Sequence, residues 1–244
     1  MARKLAQRRL SSGQLVWVAM SEVADGDIAV GNPAQSSAIK NVTDSLSSSD
    51  AHLALPPGEH WTFLRQVHGD QVVHVAGPGA QNKRTADGAV TDCPGVVLAI
   101  AVADCLPIAL ISEGGGGAAL HAGWKGAKGG IIDATVKQLR KVSPGEISAV
   151  MGPSIGPCCY AFGLADRQSF VDQFGPSVVA TTTDGNPALN LRATAICSLN
   201  SLGINEITVD DVCTSCDDRH WSHRASKAPQ RQALVVWQET APSL

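Results

Sequence analysis

The sequence predicts an α+β fold in which mixed β-sheets form a layered sandwich flanked by helices, with residues 1–244 in a single domain. Short apolar segments and amphipathic segments of helical periodicity follow one another irregularly, whereas a doubly wound fold would alternate them regularly. Several apolar segments are continuous, which is typical of strands covered on both faces. The 244 residues are also enough to bury a large core without disulfides or a structural metal.

Strands are predicted where apolar and β-branched residues are concentrated. The most apolar stretch, 96–111, is too short to span a bilayer and contains Asp104 and Pro107, so it indicates buried strands. Ser47–Ser49 and Gly114–Gly117 are predicted loops, and the glycines lack the Gly-Lys-Ser/Thr ending of a phosphate-binding loop. The predicted strands are Leu15–Ala19, Gln71–Val75, Val96–Val102, Ile108–Ile111, Ala118–Leu120, Ile147–Met151, Glu206–Val209 and Ala233–Trp237.

Three helices are predicted between these strands. Apolar residues in 131–142 recur at helical spacing, and the segment closes at Ser143-Pro144-Gly145. Asn190 is a favourable N-cap for a second helix, which Gly203 would end. A third helix is predicted from about Leu164 to Phe174.

Composition limits the classes of function. A net charge of −3 with 44% hydrophobic and 17% charged residues is typical of a globular protein and lacks the basic excess of a nucleic-acid binder. The basic start, Met1–Leu10, is followed by polar Ser11–Gln14, where a signal peptide would be apolar. Seven cysteines, an odd number, favour reduced thiols used in metal binding or catalysis. We therefore expect a cytoplasmic protein without a nucleic-acid or membrane partner.

A candidate metal site comes from three residues at predicted strand ends: His68, Cys105 and His121. Two imidazoles and one thiolate suit zinc, and three protein ligands leave the fourth position open for water or substrate, as catalysis requires. Cys105 follows His68 by 37 residues and precedes His121 by 16, which matches no short zinc signature. The alternative is that no metal binds: His68 would be a capped loop histidine, Cys105 a small buried hydrophobic residue and His121 a hydrogen-bonding residue at a strand end.

Six motifs occur in order between about His60 and Trp237: Gln66–Gly69, Ala86–Thr91, Ala103–Pro107, His121–Gly126, Gly152–Tyr160 and Ser222–Arg224. Together they resemble one family, first called laccase-domain or multicopper polyphenol oxidases and later purine nucleoside phosphorylases or peptidoglycan-editing factors.

The resemblance implies that His68, Cys105 and His121 bind one zinc ion. It also implies that the protein acts on purine nucleosides and phosphate, by phosphorolysis of adenosine, inosine and methylthioadenosine, with deamination of adenosine as a companion activity. Deamination needs a metal that lowers the pKa of a water molecule. Phosphorolysis needs an anion site beside the ribose C1′ and stabilisation of the charge that develops as the glycosidic bond loosens.

Further residues are assigned to this expected site. The turn at 123–126 with Lys125 precedes a predicted helix and is the first candidate for the anion site, and Arg224 is the second. For both, the alternative is a surface cation paired with an acid. Tyr160 is expected to line the cleft and either bind substrate or fill core. Asp87 and Asp104 are expected to orient the metal-binding histidines, with turn capping as the alternative for Asp87.

Two segments depart from the family pattern. Ala161 stands where relatives commonly carry glutamate, which would slow a proton transfer that depends on that acid. Residues 20–26 read Met-Ser-Glu-Val-Ala-Asp-Gly in place of a Ser-x-Arg-Gly-Gly-like stretch, which weakens the expectation of phosphate binding.

The remaining cysteines and histidines suggest a second metal site only superficially. Cys213 and Cys216 are followed by His220 and His223, but three residues between the pairs are far fewer than in zinc fingers, so no second metal is predicted. The adjacent Cys158-Cys159 pair is interpreted as structural, because neighbouring cysteines do not easily bind the same ion.

Three alternative functions stay open. Seven histidines without a His-x-His pair do not suffice for the copper centres of a true laccase, but the three proposed ligands could take up copper, Cu²⁺, in a polyphenol oxidase. The chain could instead be a non-catalytic metalloprotein in cell-envelope quality control. Cys105 could also be the nucleophile of a Cys–His hydrolase.

Overall fold

The computed structural model describes residues 1–50, Leu53 and residues 55–239. The strands of this part of the chain are β1 Arg3–Arg9, β2 Leu15–Met20, β3 Trp61–Phe63, β4 Val72–His74, β5 Gly88–Thr91, β6 Val97–Val102, β7 Leu106–Ser112, β8 Gly117–Ala122, β9 Ile147–Met151, β10 Val179–Thr181, β11 Pro187–Leu189, β12 Ile207–Val209 and β13 Gln232–Gln238. The α-helices are α1 Gln35–Ser49, α2 Trp124–Gly129, α3 Ile131–Val142, α4 Leu164–Phe174, α5 Leu191–Ser201 and α6 His223–Ser226.

The strands form two large mixed sheets and one small hairpin. The first sheet has five strands in the order β1-β2-β13-β6-β3, and the second has six in the order β12-β9-β7-β8-β5-β4. The pairs β3–β6, β4–β5 and β9–β12 are parallel, and the other pairs in these sheets are antiparallel. Strands β10 and β11 pair separately.

The two large sheets pack face to face between layers of helix. Ile100 and Val236 of the five-stranded sheet share a buried cluster with Ala109 and Ile111 of the six-stranded sheet. Helices α3 and α5 cover the outer face of the six-stranded sheet, and α1 covers the outer face of the five-stranded sheet. Both faces of β6 and β7 are therefore buried, which explains their continuous apolar sequence. The predicted layered sandwich of mixed sheets flanked by helices is confirmed.

All predicted strands and helices are present, but other elements were missed. The prediction of a loop at Ser47–Ser49 was wrong, because these serines form the last turn of α1. Ala38, Val42 and Leu46 lie on its buried side at helical spacing, so packing on the sheet stabilises a helix that is otherwise rich in serine. Gly114–Gly117 does connect two strands, β7 and β8.

The basic N-terminal segment is a sheet strand. Arg3 forms ion pairs with Glu22 and Asp210, and Arg8 pairs with Glu113 and Glu206. Two of its arginines are thus paired with acidic side chains from other parts of the fold. Among the described residues, no helix has the length and apolar character needed to cross a bilayer.

Ile100→Ala tests the packing between the two sheets. Ile100 is 1% exposed and lies in the inter-sheet cluster, so its truncation should leave a cavity and lower the free energy of unfolding by about 2–5 kcal/mol. Val179→Ala, at a site that is 41% exposed, is the control and should change it by less than about 0.5 kcal/mol. Urea denaturation measures the free energy of unfolding of both variants. Equal losses in the two variants would contradict the proposed packing.

Candidate metal centre

Antiparallel pairing brings three sequence-distant residues to one edge of the six-stranded sheet. Strand β8 runs antiparallel to both of its neighbours, β5 and β7. The residues that precede β5 and β7 therefore lie beside the end of β8. Asp87 precedes β5, Cys105 precedes β7, and His121 lies one residue before the end of β8.

Cys105 lies where the chain crosses from β6 in one sheet to β7 in the other. The preceding residue, Asp104, has a φ of 87°, which is unusual for a residue other than glycine. Its carboxylate accepts hydrogen bonds from Thr214 Oγ1 at 2.7 Å and from the Arg224 backbone N–H at 2.6 Å. Its carbonyl accepts a hydrogen bond from the Ile155 backbone N–H at 2.8 Å. These bonds hold the crossover in its strained conformation.

Asp104 therefore has different hydrogen-bond partners from the metal-binding histidines that were expected. Among the described residues, its carboxylate contacts neither His68 nor His121 but fixes the segment that carries Arg224. The sequence did not reveal this role, because Thr214 and Arg224 follow Asp104 by more than 100 residues.

The carboxylate of Asp87 organises the loop that carries His68. It is fully buried and accepts hydrogen bonds from the backbone N–H groups of Val67, His68 and Gly69 at 3.1, 2.9 and 2.8 Å. His68 itself has a φ of 61° and is solvent-exposed. Three consecutive donors aimed at one buried carboxylate compensate for the loss of its hydration.

The same carboxylate orients His121. Oδ1 of Asp87 lies 2.8 Å from Nδ1 of His121, which leaves Nε2 as the nitrogen available for a metal ion. Burial alone would raise the pKa of Asp87, but the hydrogen bonds from His121, Gly69 and Val67 outweigh burial and lower this pKa. Asp87 thus both orients a histidine and caps a turn, which combines the two alternatives considered for it.

The three candidate ligands converge at this edge. One donor atom each from His68, Cys105 and His121 lies within 4.8 Å of the others. Cys105 Sγ is 3.8 Å from His68 Nε2, and the two imidazole rings meet edge to face with centroids 4.7 Å apart. This set fits an ion with three protein ligands and one open position.

Gly123 leaves room for this arrangement. A Cβ atom at this position would lie 2.7 Å from Cδ2 of His68 and 3.1 Å from Sγ of Cys105. Glycine is therefore required here because any side chain would displace a candidate ligand.

The site favours a thiolate. Burial opposes ionisation of Cys105, but the charges and hydrogen bonds of His121 and His68 lower its pKa to about 6. Burial also opposes protonation of His121, and the Cys105 thiolate with Asp87 raises its pKa to about 9. A thiolate–imidazolium pair is therefore the stable form near neutral pH. The thiolate is the form of cysteine that binds metals or attacks electrophiles.

A cavity of about 400 Å³ lies over these donors, within the usual range for small-molecule sites. The guanidinium carbon of Arg224 is 5.1 Å from the centre of the Tyr160 ring, a cation–π distance. Burial and the nearby Cys105 thiolate raise the pKa of Tyr160, so its hydroxyl keeps its proton and can donate it in a hydrogen bond. The lining residues include Gln66, His68, Cys105, Tyr160, His223 and Arg224.

Lys125 does not line this cavity. It lies in α2, where the sequence predicted a turn, and its ammonium is 5.5 Å from the centre of the Trp124 ring. The structure thus separates the first of the two predicted anion-binding cations from the candidate metal site and places the second, Arg224, in the cavity.

Three cavity residues were missed as candidates from the sequence. Gln66 is fixed because its amide both donates to and accepts from the backbone of Ala101, at 2.8 and 3.0 Å. His223 and Arg231 also line the cavity. The family motifs contain Gln66 and His223 and could have indicated them, whereas Arg231 lies outside every motif.

Comparison with known proteins agrees with the fold and the motifs. The family model described as multi-copper polyphenol oxidoreductase laccase matches residues 29–239. The chain belongs to this family.

Relatives in the family carry another name. A purine nucleoside phosphorylase of Mycobacterium tuberculosis is 34% identical over 186 residues, which cover 75% of this chain and 74% of the relative. Purine nucleoside phosphorylase YfiH of Escherichia coli is 33% identical over 186 residues, with 75% of each chain covered.

A solved structure in the family has the same architecture. The crystal structure of YlmD from Geobacillus stearothermophilus superposes with a TM-score of 0.76 at 26% identity, covering 94% of this chain and 93% of that chain.

The laccase description of the family and the name purine nucleoside phosphorylase of the two sequence relatives point to different chemistry.

Asp87→Asn tests how the candidate metal ligands are held. The amide keeps the size of the carboxylate, but its nitrogen cannot accept a hydrogen bond, so either the 67–69 loop or His121 loses its acceptor. We expect zinc affinity to fall about 10–100-fold, measured by competition with a chelator. Asp92→Asn makes the same substitution at a carboxylate that contacts His74 outside the cavity and is the control. Unchanged affinity in Asp87→Asn would exclude this role.

Gly123→Ala tests the space around the donors. The added methyl should displace His68 or Cys105 and lower zinc affinity by about tenfold or more. The control is Gly129→Ala, the last residue of the helix that follows Gly123, where a Cβ would meet no atom within 4 Å. Isothermal titration with zinc measures both variants. Wild-type affinity in Gly123→Ala would show that the ligands do not bind in this geometry.

Proposed function

We propose that this chain is a zinc-dependent purine nucleoside phosphorylase that acts on adenosine and inosine, with residues 1–244 as one catalytic domain. The observation that carries the proposal is the convergence of His68, Cys105 and His121 in the wall of a cavity that also contains Tyr160 and Arg224. The names of the curated relatives support it. Methylthioadenosine is a further proposed substrate, and deamination of adenosine a proposed side activity.

Phosphorolysis sets three demands on the cavity. An oxygen of phosphate forms a bond to C1′ of the ribose while the bond from C1′ to the purine nitrogen breaks, and that electron pair passes to the purine. The site must hold the phosphate dianion, stabilise the leaving purine and exclude water as a competing nucleophile.

Arg224 is the cation best placed for phosphate. Its guanidinium makes one long hydrogen bond, 3.3 Å to the carbonyl of Ala161, and stacks on Tyr160, so it can reorient towards a bound anion at little cost. Arg231 also lines the cavity, but its Nη1 already donates to the carbonyls of Ala228, Pro229 and Gln230. Glu22, within the divergent segment 20–26, is engaged with Arg3 and does not line the cavity.

The purine would lie against the Tyr160 side of the cavity. The protonated Tyr160 hydroxyl is a hydrogen-bond donor for a purine or ribose acceptor. Ala161 has no acidic group, so another side chain must carry a proton to the leaving purine. We assign this step to His223, which is exposed in the cavity and precedes Arg224.

When bound by His68, Cys105 and His121, a zinc ion would supply a Lewis acid with one open coordination position. The cytoplasmic location expected from the sequence agrees with thiol ligands, which need a reducing compartment.

A copper-binding polyphenol oxidase is the second candidate, favoured by the description of the family model. The donor set accepts copper, which binds more tightly than zinc at most such sites. Within residues 1–50, 53 and 55–239, however, the other group able to hold a metal consists of cysteines alone. No histidine-rich cluster of the kind found in multicopper oxidases is present among them.

The proposal predicts phosphate-dependent cleavage of inosine. Zinc-loaded protein should convert inosine and phosphate into hypoxanthine and ribose 1-phosphate in equal amounts, measured by chromatography. Cys105→Ala should lose the zinc ion of the His68–Cys105–His121 site and at least about a hundredfold in kcat/KM. Cys197→Ala is the matched control, since Cys197 forms a hydrogen bond with Ser177 and lies outside the cavity.

Other outcomes identify the alternatives. Base release without phosphate would indicate a hydrolase, and covalent trapping of Cys105 by a substrate analogue would make that residue the nucleophile. Oxidation of phenols only with stoichiometric copper would support the oxidase. If folded, zinc-loaded protein leaves the nucleosides unchanged, the result would support a non-catalytic metalloprotein.

A further inference from the structure

Four cysteines form a second cluster of metal-binding side chains. One Sγ atom from each of Cys158, Cys159, Cys213 and Cys216 lies within 4.8 Å of the others. Cys216 Sγ is 3.8 Å from Cys158 Sγ and 3.3 Å from Cys159 Sγ, and all four residues are free thiols. The sequence predicts no second metal at Cys213, Cys216, His220 and His223, and a structural role for the adjacent Cys158-Cys159 pair. In the structure, His223 lines the main cavity, and His220 is buried without a hydrogen-bond partner among the described residues. Both adjacent cysteines nevertheless place their Sγ atoms close to that of Cys216.

Backbone contacts fix the two segments against each other. Ser154 and Cys213 form a parallel bridge, and the Thr214 N–H donates to the Ser154 carbonyl at 3.1 Å. The Gly156 N–H donates to Cys213 Sγ at 3.1 Å, a contact that strengthens when the sulfur is a thiolate. The thiols are therefore held together by the fold and are not an accidental approach of flexible side chains.

Gly156 makes room for the sulfur atoms. A Cβ at this position would lie 3.1 Å from Cys158 Sγ and 3.3 Å from Cys213 Sγ. The same device occurs at the His68–Cys105–His121 site, where Gly123 leaves the space.

A buried cation compensates for negative charge near the cluster. Arg192 is 9% exposed, and its Nη2 donates to the carbonyls of Ser154 and Val212, which flank Cys213 in space and in sequence. Among the described residues, Arg192 has no carboxylate partner, and its buried Nε has no hydrogen-bond partner. The negative charges that act on this guanidinium are those of Cys213 and, to a smaller extent, of Asp210 and Asp211. A buried guanidinium is costly without such charge nearby.

We propose that Cys158, Cys159, Cys213 and Cys216 bind one zinc ion as a structural site, separate from the site at His68, Cys105 and His121. Four thiolates around a zinc ion leave a net charge of −2, half of which Arg192 offsets, and the four thiol protons pass to solvent on binding. Zinc–sulfur distances of about 2.3 Å in a tetrahedron give sulfur separations of about 3.8 Å, close to those found here.

The site would brace one wall of the cavity. Tyr160 directly follows Cys159, and Arg224 lies eight residues after Cys216. An ion bound by both segments would fix the stacked Tyr160–Arg224 pair in place. No open position is left on an ion with four protein ligands, which indicates a structural and not a catalytic role.

Metal counting in the full-length chain, purified under reducing conditions, tests this proposal. We expect one zinc per chain in Cys105→Ala, which lacks a ligand of the first site, and none in Cys105→Ala/Cys216→Ser. Cys216 is exposed, so its substitution should leave folding intact, as circular dichroism can verify. Cys93→Ser, outside the cluster, is the matched control and should retain the wild-type zinc content.

Two independent measurements complete the test. In Cys105→Ala, zinc should protect four thiols from a thiol reagent, and cobalt in its place should give the intense charge-transfer absorption of a tetrathiolate site. Absence of zinc from Cys105→Ala with four reactive thiols would overturn the proposal. A Cys159–Cys216 disulfide in protein kept with zinc and reductant would also overturn it, in favour of a redox pair. None of these readouts depends on nucleoside turnover, so the second site can fail while the proposed enzyme function stands.

Discussion

The buried carboxylate of Asp87 is the interaction on which the candidate site depends. It accepts hydrogen bonds from three successive backbone N–H groups at 67–69 and from Nδ1 of His121. These bonds keep Asp87 ionised despite its burial, and they hold His68 in its unusual left-handed conformation. Two candidate ligands from distant parts of the chain are thereby positioned by one side chain. The third ligand, Cys105, reaches the same edge because β7 pairs with β8.

Asp104 has the complementary role on the other side of Cys105. Its carboxylate ties the crossover between the two sheets to Thr214 and to the backbone of Arg224. The wall that carries the candidate metal ligands is therefore joined directly to the wall that carries the cation proposed to bind phosphate. The cysteine cluster lies on the same two segments, 154–160 and 213–216, so the second zinc site would reinforce a connection that hydrogen bonds already make.

The family description and the names of the relatives point to different chemistry, and the residues explain how one scaffold can suggest both. Two imidazoles and a thiolate accept either copper or zinc. The cavity, by contrast, combines a protonated phenol and a stacked guanidinium, which suit a purine nucleoside and phosphate better than electron transfer from phenols. Ala161 has no acidic group, which makes His223 the group to examine for proton transfer in the proposed reaction.

The sequence by itself determined the features that depend on local pattern. Continuous apolar runs predicted the doubly covered strands β6 and β7, and the motifs that resemble the family indicated His68, Cys105 and His121. Only the tertiary structure decided which distant residues meet. It placed Arg224 and not Lys125 in the cavity, gave Asp104 different partners from those expected, formed α1 from a serine-rich segment and joined two cysteine pairs more than 50 residues apart. The physical reason is that periodicity reports neighbours along the chain, whereas strand pairing and the packing of sheets determine neighbours in space.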